Sequence, residues 1–428
     1  MFHLWLPIHA EPSRQRLSNS GTEAESGDLV VGCRSSLREL IGLDNTCAFI
    51  RTQLAMGSES HNGSRDSCKR WLVGAVLFGV WKRPERSITI FEKGEFAMSL
   101  RKLFLFTLAA AIAAFGAVGT LTVQIKEYEV PTPESRPHDP AFAPDGSLWY
   151  TGQGANKLGR LDPKTGEFKE YPLKTRNSGP HGLVADKDGD IWFTAISGGY
   201  VGKLDPKTGE ITEYRPSGGS KIDPHTPVFD HDGILWFTNE ETNYIGRLDP
   251  KTGKMSLTKL PTPHAVPYGI VILQNNTPFF CEFGANKLAT IDSKTMTIQE
   301  YRLPAAGARP RRLALASDGT IFYTDYARGY LGHFDPAGGK LLKEWASPGG
   351  AESEPYGIAI TEDGKVWYSE SGLKPNTLVR FDLKSESFST MQIPSGGGVV
   401  RNMVATPDRR LYLACSGVNK VAVVNATR

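Results

Sequence analysis

Seven copies of one phrase run from Pro137 to about Val424, and their spacing leaves little freedom in what the chain can fold into. Six of the seven copies open with Pro, the seventh with Val400, and each follows with a large polar or aromatic residue. The clearest copies continue through an Asp-Gly turn, a Trp/Phe-rich run, an Ile-Gly-Arg type segment and Asp-Pro-Lys-Thr-Gly. The copies start at Pro137, Pro180, Pro224, Pro267, Pro310, Pro355 and Val400, at intervals of 43, 44, 43, 43, 45 and 45 residues. That is the length of one four-stranded propeller blade.

Local chemistry makes these segments strands. Asp-Gly and Lys-Thr-Gly tolerate the positive φ of tight turns. Between them lie short runs rich in Val, Ile, Trp, Phe, Tyr and Thr without helical periodicity. One sheet of this kind cannot bury both of its faces, whereas seven arranged radially can. The expected fold is therefore all-β: a seven-bladed β-propeller with four-stranded antiparallel blades. The seventh copy runs out after its third strand, near Val424. The segment Ile125–Pro131 resembles the fourth-strand phrases Phe168–Pro172 and Ile298–Tyr301. An N-terminal outer strand is thus expected to close the ring and remove an exposed edge.

Residues 120–428 are assigned to this domain. Residues 98–119 have the anatomy of a signal peptide: a basic start at Arg101 and Lys102, an apolar run from Leu103 to Val118, and small residues at Ala117–Gly119. Sixteen apolar residues are short for a span, so no stable membrane span is expected once the peptide is cleaved. Residues 1–97 are irregular in pattern and are expected to be a gene-model artefact or poorly ordered, with translation starting at Met98. A periplasmic or secreted location follows. The net charge of +3, with no Lys/Arg cluster, argues against a nucleic-acid partner. Cys281 and Cys415 fall on opposite sides of the ring and read as small buried residues. A closed ring needs no partner, so a monomer is expected.

Repeat position translates into place. The residues that begin each innermost strand gather at one mouth of the central channel, and the ends of the second strands lie on the same face. The first set reads His138, His181, His225, Tyr268, Arg311, Tyr356 and Arg401; the second contains Asn239, Glu240, Glu282, Asp325 and Glu370. Imidazoles and carboxylates on one rim are what a divalent metal or a general base requires. A small-molecule or peptide ligand is expected at this mouth.

The Pro-His/Tyr-Gly-Ile, Trp-Phe-Thr and Ile-Gly-Arg phrases resemble those of the virginiamycin B lyase (streptogramin lyase) family across Ile125–Val424. The resemblance implies a seven-bladed propeller and a carbon–oxygen lyase. Such an enzyme opens cyclic streptogramin B antibiotics by Mg²⁺-dependent elimination. Carried over residue by residue, it implies metal ligation by His181, Asp223 and Glu240, with His225 as general base and Tyr268 orienting the substrate. The set is rotated along the chain relative to the family pattern, and Asp223 stands where the family has Glu. His138, Arg311, Tyr356 and Arg401 would add substrate contacts. An alternative is a non-catalytic exported propeller that binds a peptide, glycan or protein at this mouth, using Arg311, Arg312, Arg401 and Tyr356 toward an anionic ligand. A lactone hydrolase of the gluconolactonase type is disfavoured, since that family typically has six blades.

Overall fold

The computed structural model describes residues 118–426, which form seven sheets. The segment 1–97, and all but the last two residues of the expected signal peptide, lie outside the described residues. The innermost strands begin at Pro137, Pro180, Pro224, Pro267, Pro310, Pro355 and Val400, the positions the repeat predicts. They neighbour one another in cyclic order, with the seventh against the first. The ring is closed as expected: Gln124–Glu129 pairs antiparallel with Lys420–Asn425 as the outer strand of the seventh blade. One pairing is additional. Gly119–Thr120 lies parallel to Ser387–Gln392 and adds a fifth strand to the sixth blade.

The turns work through backbone geometry. Gly146, Gly189 and Gly233 adopt φ of 85°, 88° and 78°, where a Cβ is penalised. In the worn copies the same corner is held by Asn276 and Arg409, at φ of 65° and 60°.

The tryptophans join blades, as the repeat suggests. Trp149 packs in one cluster with Leu183, Ile191 and Phe193 of the second blade, and Trp236 packs with Phe280 of the fourth. Their indole N–H groups donate within their own blade, Trp236 Nε1 to Asp230 Oδ2 at 2.8 Å and Trp149 Nε1 to Ser147 Oγ at 3.0 Å. A buried N–H left unpaired in these positions would cost about 1–3 kcal/mol.

A second device links the blades near the axis. Thr151, Thr194, Thr238 and Thr324, near the ends of the second strands, donate to the innermost-strand carbonyls of His181, His225, Tyr268 and Tyr356 in the next blade, at 2.6–3.0 Å. Cys281 fills this role in the fourth blade, its thiol donating to Arg311 O at 2.9 Å. At the closure Ser416 Oγ donates to Pro137 O. These bonds fix the backbone of the residues that form the channel mouth.

Candidate functional site

Every innermost strand carries the same irregularity. Its register against the second strand shifts just after the opening residue, between Pro137 and Pro140 in the first blade and at the equivalent step in the other six. A bulge of this kind sets two residues of one strand against one of its partner and re-aims their side chains. Two consecutive residues per blade thereby reach the channel, and they form two layers.

The outer layer is a collar of closely packed rings, each tilted against the next by 43–54°. Centroids of His138 and His181 lie 3.7 Å apart, His181 and His225 3.8 Å, and His225 and Tyr268 4.0 Å. Tyr268 Oη is hydrogen-bonded to Tyr356 Oη. Arg311 lies 4.9 Å from the Tyr268 ring centroid and 3.8 Å from that of Tyr356.

The inner layer reads Asp139, Gly182, Thr226, Gly269, Arg312, Gly357 and Asn402. The glycines sit where the next blade approaches; a Cβ on Gly182 would fall 2.2 Å from His225 O. The four polar residues bond across the axis. Arg312 Nη2 donates to Asp139 Oδ1 at 2.9 Å, Arg312 Nη1 to Thr226 Oγ1 at 3.3 Å, and Asn402 Nδ2 to Asp139 Oδ2 at 3.0 Å. This polar plug joins blades one, three, five and seven beneath the collar.

The three imidazoles are buried. Burial first, then guanidiniums around His138 and imidazoles with guanidiniums around His181 and His225, push each well below the usual histidine value, with Asp139 opposing at His181, so all three are neutral at pH 7. His225 Nδ1 lies 2.8 Å from Thr226 Oγ1. Its Nε2 has no hydrogen-bond partner and lies 3.6 Å from Glu240 Oε2. Burial, opposed by Arg311 and reinforced by the charge of Asp223, lifts the Glu240 carboxyl to about 7. A neutral imidazole thus faces a carboxyl that titrates near neutrality.

Ligand atoms of His138, Asp139 and His181 all lie within 4.8 Å of one another, which is compact enough to hold a metal ion. His181 Nδ1 is buried without a hydrogen-bond partner. Two neutral imidazoles and a carboxylate are a donor set for a divalent ion; Asp139 also accepts from Arg312 and Asn402 and lies 2.9 Å from His138 Nδ1, so an ion would share it with those partners.

The family model for the virginiamycin B lyase family matches residues 105–381. The chain belongs to that family. Among solved structures, a streptogramin B lyase is 24% identical at a TM-score of 0.65, with 71% of this chain and 97% of that one covered. Selenomethionine-substituted virginiamycin B lyase from Staphylococcus aureus is 21% identical at a TM-score of 0.65, covering 71% and 99%. A catalytically inactive variant of the Staphylococcus aureus enzyme with quinupristin gives 20% and 0.64, again covering 71% and 99%. Hydrazine synthase from Kuenenia stuttgartiensis also aligns, at 15% and 0.59, covering 70% and 97%. At these identities the likeness establishes the propeller and leaves the chemistry to the site. No curated protein matches the chain.

Of the residues that the family resemblance singles out, the structure brings His181, His225 and Tyr268 into one packed row and sets Glu240 beside His225. Asp223 is engaged elsewhere. Its carboxylate accepts from the backbone N–H groups of Glu241 and Thr242 and from Thr242 Oγ1, tying the loop after Asn239 to the start of the third blade. His181, Asp223 and Glu240 are not among the described groups compact enough for one ion, and Asp139 stands beside His181 instead. His138, Arg311 and Tyr356 complete the collar together with Arg401. Asp139, Thr226 and Asn402 escaped the sequence reading because it placed one channel residue per blade. Comparing the next column of the repeat, four polar residues among three glycines, would have marked them.

Proposed function

We propose that this protein is a carbon–oxygen lyase that opens ester-linked cyclic peptides by β-elimination at the channel mouth, and that it acts after export. The observation that carries this reading is His225: a buried neutral imidazole, packed between the His181 and Tyr268 rings, whose Nε2 is unpaired and faces Glu240. A base of this kind can take a proton from carbon at neutral pH.

In the tautomer whose Nδ1–H donates to Thr226 Oγ1, Nε2 carries the lone pair that accepts the Cα proton. The ionised Glu240 stabilises the resulting imidazolium. Tyr268, its hydroxyl held by Tyr356 and Arg311, orients the substrate against the collar. His138, Asp139 and His181 would hold Mg²⁺ or another divalent ion. When bound, such an ion polarises a carbonyl and acidifies the adjacent Cα–H. The electron pair left on Cα forms the Cα–Cβ double bond, and the Cβ–O bond breaks with its pair going to the departing carboxylate.

The test is to incubate the protein and Mg²⁺ with a cyclic depsipeptide and follow product mass. Elimination gives a linear product of unchanged mass, and His225→Ala should lower its rate by roughly 10²–10⁴-fold. A product heavier by one water, or no conversion with any divalent metal, would sink the proposal.

A further inference from the structure

Two of the seven collar positions are arginines, and Glu240, whose carboxyl feels the charge of Arg311, makes no ion pair with it. Arg311 and Arg401 occupy the collar position of blades five and seven, on either side of Tyr356, and Arg136, exposed in the segment before the first blade, is near enough for its charge to oppose that of Arg401. Among the described residues none of these three guanidiniums forms an ion pair; Arg312, one layer below, already holds Asp139. The faces of Arg311 are taken by aromatic rings, with Tyr326 at 4.2 Å and Phe283 at 4.8 Å besides the two collar tyrosines. Stacking leaves the in-plane N–H edge of a guanidinium free to bind oxygen. Arg311 Nε and Arg401 Nε are buried without hydrogen-bond partners. Gathering desolvated like charges is costly unless something of opposite charge completes the set.

We propose that Arg311 and Arg401, with Arg136 at the rim, form an oxyanion subsite that binds a carboxylate of the ligand beside the His225–Tyr268 pair. The local potential agrees. Burial alone would raise the Tyr356 phenol, yet Arg311, Arg401 and Arg312 hold it below the ordinary tyrosine value. Placement also suits the chemistry: Arg311 Nη2 donates to Tyr268 Oη at 3.2 Å, and the Tyr268 ring packs against His225 with centroids 4.0 Å apart. The inference rests on the elimination reading for which carboxylate is bound. In that reaction the ester oxygen leaves as a carboxylate, so the subsite would hold a group created only as the Cβ–O bond breaks. An acidic side chain of the substrate would satisfy the same donors.

Binding separates this from the lyase reading, because it requires no turnover. Hippurate and hippuramide share a shape and differ in charge, and both can be titrated calorimetrically into the full-length protein. Hippurate should bind at least about ten-fold more tightly, as expected for charge-assisted bidentate bonds. Its affinity should fall as salt is raised, and inorganic phosphate should compete with it. Arg401→Gln should remove the preference, while Arg401→Lys restores part of it. Equal affinity for acid and amide, or an unchanged preference in Arg401→Gln, would overturn the subsite. The wild-type comparison of acid, amide and phosphate decides the matter even if the variant does not fold. A depsipeptide opened by a protein without charge preference would refute the subsite alone; charge preference without opening would refute the lyase alone.

Discussion

His225 and Glu240 face each other across 3.6 Å, one pushed toward neutrality by burial and the other lifted to about 7. Below that pH, a protonated Glu240 can donate to Nε2 and occupy the base; above it, the carboxylate leaves the lone pair free. The rate of depsipeptide opening should therefore rise with pH through an inflection near 7. Glu240→Gln should remove the inflection and leave a low, flat profile, readable as kcat/KM against pH. A second carboxyl shows the same physics without a place in the site. Glu282 is fully buried, neither of its oxygens has a hydrogen-bond partner, and burial with the nearby charge of Glu300 raises it to about 8. Its folded value lies above the unfolded one, so its contribution to stability is fully present below pH ~4.5 and is lost as pH rises toward 8. Glu282→Gln should melt progressively higher than wild type as the buffer moves from pH 5 to pH 8. An unchanged difference in melting temperature would show that Glu282 finds a partner in solution.

Within each blade, the third strand explains a phrase that reads as mere repetition in sequence. The glycines of its Leu-Gly-Arg and Ile-Gly-Arg segments pair with the aromatic residues of the second strand, as Gly246 does with Phe237. A Cβ on Gly246 would fall 2.1 Å from the Phe237 ring, and one on Gly202 would fall 2.1 Å from Phe193. The aromatic lies flat over the glycine, and this packing needs the missing side chain. Gly246→Ala should destabilise by about 1–3 kcal/mol, the range for overpacking a filled core, measured as a shift in chemical denaturation. Where the repeat has lost the glycine, as with Ala289 opposite Phe280, the adjustment is built into that blade. The innermost strands teach a different lesson. Their period was legible, but the shift in register that brings both His138 and Asp139 to the axis was not. A bulge follows from how neighbouring blades crowd the axis, and no residue in the repeat spells it out.

For the whole molecule, closure is the decisive event. The strand Gln124–Glu129 precedes the first blade in sequence and completes the last, pairing along the full length of Lys420–Asn425. Without it that strand would present an open edge, the kind of surface that invites pairing with other chains. Deleting residues 124–129 should lower the melting temperature and increase self-association relative to the intact protein, as thermal unfolding and sedimentation would report. The number of blades, where each begins and which residues crown the channel were legible in the chain, because each rests on local turn chemistry repeated at a fixed interval; closure was legible because Ile125–Pro131 repeats the fourth-strand phrase. Which of those residues meet is settled by the folded ring. It drew Asp223 into a loop through Thr242, put Asp139 beside His138 and His181, and tied Asp139 to Arg312 across 173 residues. Contacts across the axis depend on all seven blades at once, and no single repeat carries that information.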